Sequence, residues 1–151
     1  MALGMITIIH AVLAVLVIIE LGITGYLVNK TDNWFSDSPA TYAFLLFSSI
    51  WSLFVLIYLA ITPIYLARLY HALVAFGLLV LTTIFWFAGA IAFACFVGAP
   101  ACHGNGWCQT NEAGVAFAFF LWAGFLALTV LEGLTTLRGH ARADKTTPST
   151  V

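Results

Sequence analysis

Charge is scarce in this chain: five Lys and Arg and six Asp and Glu make up 7% of 151 residues. A soluble domain of this length needs a charged surface to stay in water, so the shortage excludes an ordinary globular protein. It excludes nucleic acid as a partner as well, because no basic run is present to neutralise phosphates. Cysteine is scarce, with three residues and no Cys-x-x-Cys pair, which argues against a quinone-coupled thiol oxidase. Proline is scarce too, and Pro39, Pro63 and Pro100 stand at the margins of apolar stretches rather than inside them.

The remaining composition is 63% hydrophobic, and it is concentrated in four blocks, Met5–Val28, Ala40–Thr62, His71–Val97 and Ala113–Thr136. A hydrocarbon core about 30 Å thick is crossed by about 20 helical residues, and continuous apolar runs of this length satisfy their backbone groups in lipid only as helices. The expected fold is therefore an all-α membrane protein, a four-transmembrane-helix up-and-down bundle. The third block is the longest of the four and is expected to tilt or project. The first is too long, and lacks the basic flank, for a secretory signal. One transmembrane domain over residues 1–137 is predicted, followed by a polar, disordered tail over 138–151.

Basic residues near helix ends stay in the cytosol. Arg68, Arg138, Arg142 and Lys145 fall on one side and Lys30 alone on the other, which predicts cytosolic N and C termini. The loop between Cys102 and Cys108 then lies on the outer, oxidising side, and the pair is predicted to be a disulfide closed over His103-Gly104-Asn105-Gly106-Trp107. Two thiolates and one His are an incomplete ligand set, so no metal site is expected there. Asn29-Lys30-Thr31 forms a glycosylation sequon, too close to the first span to be used.

Ionisable groups within a span are expensive and often functional. His10, Glu20 and Glu132 are the candidates. Counting from the predicted helix ends places Ser48, Ser49, Trp86 and Trp122 near the level of Glu20 as hydrogen-bond donors, and allows a His10 to Glu132 pair between the first and fourth helices. No chain of polar residues joins Glu20 to Glu132. His10 and His71 are poor candidates for haem axial ligands, and no cofactor is expected.

Small residues supply the second signal. Gly77, Ala88, Ala92, Cys95 and Ala99 share one face of the third helix, widened by Gly89, Ala90 and Ala94; Ala116, Ala123 and Ala127 form a stripe on the fourth. Ser48 and Ser52 add a small-xxx-small pair on the second. Small side chains let helix backbones approach in lipid. Packing within the bundle accounts for one such face per helix, and the excess on the third points to self-association. Cys95 reads as a packing residue. The aromatics Trp34, Phe35 and Trp107 at one side, and Tyr65 and Tyr70 at the other, read as interface anchors.

Four spans with short loops, the stretch Phe85-Trp86-Phe87-Ala88-Gly89-Ala90-Ile91-Ala92-Phe93-Ala94, and a Cys102/Cys108 pair followed by an Ala- and Phe-rich helix resemble the MARVEL-domain family, most of all its small fungal members. The resemblance covers Met5 to Thr136. It implies a non-enzymatic role in microdomain organisation, membrane curvature or apposition, or vesicle traffic, in the plasma membrane or the secretory-pathway and vesicle membranes. The partners it implies are membrane lipids, a sterol among the candidates, further copies of the chain as a homo-oligomer, and other membrane proteins. The paired cysteines of a claudin loop and the Cys-Cys-Gly of a tetraspanin are missing. The alternative from another class is a small channel or proton-coupled carrier that uses Glu20.

Overall fold

Each apolar block is the centre of an α-helix in the computed structural model, which describes residues 2–35, 39–65, 71–98 and 101–146. The helices are α1 (Ala2–Phe35), α2 (Ala40–Tyr65), α3 (Ala72–Val97) and α4 (Gly106–Thr146). Each contains a stretch long and apolar enough to cross a membrane: Gly4–Thr31, Ala40–Thr62, Ala72–Val97 and Gly106–Gly139. Arg68, Tyr70, Ala99 and Pro100 lie outside the described residues.

Helix lengths differ from the expected ones. The longest is α4, with 41 residues, then α1 with 34, whereas α3 has 26. At about 1.5 Å per residue, α4 reaches about 60 Å, twice the thickness of a hydrocarbon core. The reason is that apolar runs mark what lipid must cover, not where the backbone stops being helical. α1 continues through Asn29-Lys30-Thr31, and α4 starts before Ala113 and runs on through Arg138 to Thr146, into the stretch expected to be disordered. Pro63 does not end α2, which continues to Tyr65; in a last turn a proline removes only one of the few remaining hydrogen bonds. Pro39 behaves as expected, its carbonyl accepting from the amides of Tyr42 and Ala43 at 3.0 and 3.3 Å as α2 begins.

The helices pack in a ring, α1 on α2, α2 on α3, α3 on α4 and α4 on α1, each antiparallel to its neighbours. Close approach is set by glycines. A methyl group at Gly124 would lie 2.5 Å from Leu13 Cδ2, and one at Gly114 would lie 2.7 Å from the Phe93 ring and 3.2 Å from Ile23. Gly89 meets Leu45 at 3.0 Å and Gly133 meets Phe76 at 3.1 Å by the same measure. In lipid such packing, with hydrogen bonds, must supply the association that water would drive elsewhere.

One stripe of each helix faces inward. On α1 it is Leu13, Val17, Glu20, Thr24, Leu27 and Thr31, alternating four and three residues apart. The interior is completed by residues such as Leu45, Ser52, Trp86, Phe93, Leu121 and Phe125, all fully enclosed. Large apolar side chains cover the outside, with Leu73, Phe54, Ile8 and Phe120 more than 60% exposed. That pattern suits a bundle whose solvent is hydrocarbon.

Candidate functional site

Among the described residues, two groups of polar side chains stand out in this bundle, and they are built differently. The first lies at the end that carries the α3–α4 connection. Here Cys102 and Cys108 form a disulfide with Cα atoms 5.4 Å apart. A tight turn leads into it: Asn105 N–H donates to the Cys102 carbonyl at 2.7 Å, and the central residues His103 and Gly104 have φ of 33° and 81°. Two successive positive φ values are what a type I′ turn requires, and glycine takes its position without strain. Asn105 then caps α4, its Oδ1 accepting from Trp107 N–H at 3.0 Å.

Under this cap, Tyr42 of α2 reaches across the bundle. Its hydroxyl donates to Asn111 Oδ1 at 2.6 Å, and Asn111 Nδ2 donates to the Trp107 carbonyl at 2.9 Å. The Tyr42 ring stands edge-on to Phe93, Phe96 and Trp107, with centroids 5.7, 5.4 and 6.4 Å away. Polar and aromatic contacts thus tie α2, α3 and α4 together at one point.

The second group is the layer around Glu20, whose side chain is fully enclosed. Contacts of α1 with α4 above and below it, Ile23 on Gly114 and Leu13 on Gly124, hold it in place. Ser48 and Ser49 are buried as well, yet they do not meet Glu20 as expected. Ser48 donates to the Phe44 carbonyl at 2.8 Å and Ser49 to the Leu45 carbonyl at 2.9 Å. Ser52, Thr24 and Thr82 likewise donate to carbonyls one turn back in their own helices. A hydroxyl has one hydrogen, and such back-bonding consumes it. The Trp86 indole N–H, another expected donor, goes to Ser52 Oγ at 2.8 Å, and that of Trp51 goes to Thr82 Oγ1 at 3.1 Å. Both carboxyl oxygens of Glu20 are left without a hydrogen-bond partner. The layer offers acceptors, and its donors are spent.

The other intramembrane candidates are separate from it. His10 Nδ1 donates to the Ile6 carbonyl at 2.8 Å, while Nε2 is buried without a partner. No His10 to Glu132 pair forms, because the imidazole turns back on its own helix. Glu132 is half-buried.

Among the small residues the bundle makes a sharp choice. Gly89 and Ala90 of α3 face inward, whereas Gly77, Ala88, Ala92 and Cys95 are exposed; Cys95 is a free thiol. On α4 the exposed residues include Ala116, Ala123 and Ala127, and the close contacts belong to Gly114, Gly124 and Gly133. Sequence reasoning followed the alanine stripes and passed over these glycines. It also passed over Tyr42 and Asn111; an Asn six residues after a capping Asn, at the start of a span, was the available signal.

A model of the MARVEL family, described as a membrane-associating domain, matches residues 2–131. No curated protein and no solved structure gives a match.

Proposed function

The chain belongs to the MARVEL family of membrane-associating domains and is an integral, multi-pass membrane protein, and from that premise we propose that it is a non-enzymatic organiser of the bilayer. In this reading it acts through helix packing, self-association and lipid contact, to shape microdomains, curvature or apposition, or to serve vesicle traffic. One observation carries the proposal: Gly77, Ala88, Ala92 and Cys95 on α3, and Ala116, Ala123 and Ala127 on α4, lie on exposed faces that the bundle's own packing does not use. Small residues on a lipid-facing surface let a second helix approach closely, and van der Waals contact is the main attraction between helices in lipid. The surrounding large apolar side chains are surface for acyl chains.

Cys95 supplies the test, being the free cysteine beside the disulfide pair. Oxidative cross-linking in proteoliposomes is expected to give a covalent dimer through Cys95 at dilute protein-to-lipid ratios, and Ala92→Leu is expected to suppress it. Monomer alone at every ratio would refute self-association through this face. Glu20 favours a second reading, a proton-coupled carrier, because a buried carboxyl without a partner is a common mark of an ion path. Against it, the inward positions below Glu20 on α1 are Val17 and Leu13. Proton flux into vesicles that is lost in Glu20→Gln would support the carrier over the organiser.

A further inference from the structure

The disulfide cap holds a third potential ligand that the loop sequence alone does not reveal. Cys108 and Glu112 are one turn apart on α4, and a Glu112 carboxylate oxygen lies within 4.8 Å of both Cys102 Sγ and Cys108 Sγ, which are themselves within that distance. Glu112 is exposed and the two cysteines are half-buried, so the group is open to ions and reductants from water. We propose that the cap is a redox-controlled metal site: a disulfide when oxidised and, when reduced, a site for a thiophilic divalent ion such as Zn²⁺, bound by Cys102, Cys108 and Glu112 with water in the fourth position.

The geometry supports this on two counts. Tetrahedral zinc with bonds of about 2.3 Å to sulfur and about 2.1 Å to oxygen needs its ligand atoms about 3.5 to 3.8 Å apart. With the Cα atoms 5.4 Å apart and the three ligand atoms already within 4.8 Å of one another, that spacing calls for opening the disulfide and rotating the two thiols, with no shift of the backbone required by the proposal. The second count is that the loop is held by bonds that do not involve sulfur. These are the Asn105 N–H to Cys102 carbonyl turn, the Asn105 cap on Trp107, and the Tyr42 to Asn111 to Trp107 relay. The backbone around the ligands therefore keeps its shape after reduction, as a preorganised site requires.

The chemistry balances in two steps. A dithiol or phosphine reductant gives two electrons, and with two protons the S–S bond becomes two thiols while the reductant is oxidised. A divalent ion then displaces both thiol protons to solvent and binds the thiolates and the carboxylate. Reoxidation by a small-molecule disulfide, which takes the two electrons and, with two protons from solvent, leaves as two thiols, re-forms the S–S bond and expels the ion, since a disulfide sulfur is a poor ligand. This inference does not depend on the organiser reading above.

Cobalt is the probe, because thiolate-bound tetrahedral Co²⁺ absorbs in the visible. The full chain, with Cys95→Ala to remove the third thiol, is reduced by a phosphine in detergent and titrated with Co²⁺, then displaced with Zn²⁺. A single cobalt per chain is expected after reduction and none before. Cys108→Ser is expected to abolish the thiolate absorption, and Glu112→Gln to weaken binding by about tenfold or more. Absorption no greater than that of the oxidised chain would overturn the proposal, as would unchanged affinity in Glu112→Gln. The double variant Cys102→Ser, Cys108→Ser is expected to keep the circular dichroism and gel-filtration behaviour of the parent; loss of either would overturn the claim that the cap holds its shape unaided.

Discussion

The Tyr42 and Asn111 pair beneath the cap and the Glu20 layer are both buried and polar, but only the pair beneath the cap is satisfied. At the cap, Tyr42, Asn111 and Asn105 each meet a complementary group, and the Tyr42 to Asn111 bond crosses from α2 to α4. In the layer, five hydroxyls give their hydrogens to carbonyls of their own helices, and Glu20 has no donor left to meet it. The difference teaches that burying polar groups together is not enough. Amides carry both donors and acceptors on one side chain and can bridge; a serine whose hydrogen is already committed can only accept.

The largest expected effect follows from the orphaned carboxyl. Replacing Glu20 by leucine removes a buried group without a partner, and such a group costs about 1 to 3 kcal/mol, more when charged. Thermal unfolding in micelles, followed by circular dichroism, is expected to show a higher melting temperature for Glu20→Leu. A lower one would break the comparison, since it would mean that Glu20 has a partner in the membrane after all. Opening the cap comes next. For a disulfide spanning six residues, the loss in Cys102→Ser, Cys108→Ser is about 2 kcal/mol, expected as a lower melting temperature at unchanged helical content. Tyr42→Phe is expected to cost about 1 to 2 kcal/mol, because it leaves the Asn111 carbonyl oxygen buried and unpaired. A Tyr42→Phe, Asn111→Leu cycle should show coupling above about 0.5 kcal/mol; strict additivity would deny the bond its role.

The four spans were legible in the sequence because lipid imposes one requirement, apolar length, that four blocks meet openly. The disulfide was legible because only two of the cysteines bracket a turn. Helix ends were not, since nothing in hydrophobicity tells where a polar segment such as Arg138 to Thr146 stops being helical. The partners of Glu20 were misjudged for a related reason. Counting residues gives depth, and depth did bring serines and Trp86 to the interior, but it does not say where each hydrogen points. Ser48 and Ser49 could reach a carbonyl one turn back at no cost in backbone rearrangement, and that local bond won over the distant one. Likewise the count of small residues found the stripes, yet only packing told Gly89 from Ala88.

The finest test of the contrast lies within one helix. Ser49 and Ser52 are both buried on α2, and both donate to the carbonyl one turn back. Ser52 alone also accepts, from the Trp86 indole at 2.8 Å. Ser49→Ala removes a bond that the helix backbone hardly needs, since the Leu45 carbonyl already accepts from the amide one turn on, and is expected to change stability by less than about 0.5 kcal/mol. Ser52→Ala strands the N–H of a fully enclosed tryptophan and is expected to cost about 1 kcal/mol or more. Indole fluorescence should separate them too, because losing the acceptor changes the surroundings of Trp86 in one variant and not in the other. Equal effects would mean that the Ser52 hydroxyl acts only within its own helix, and that its bond from Trp86 adds nothing to the link between α2 and α3.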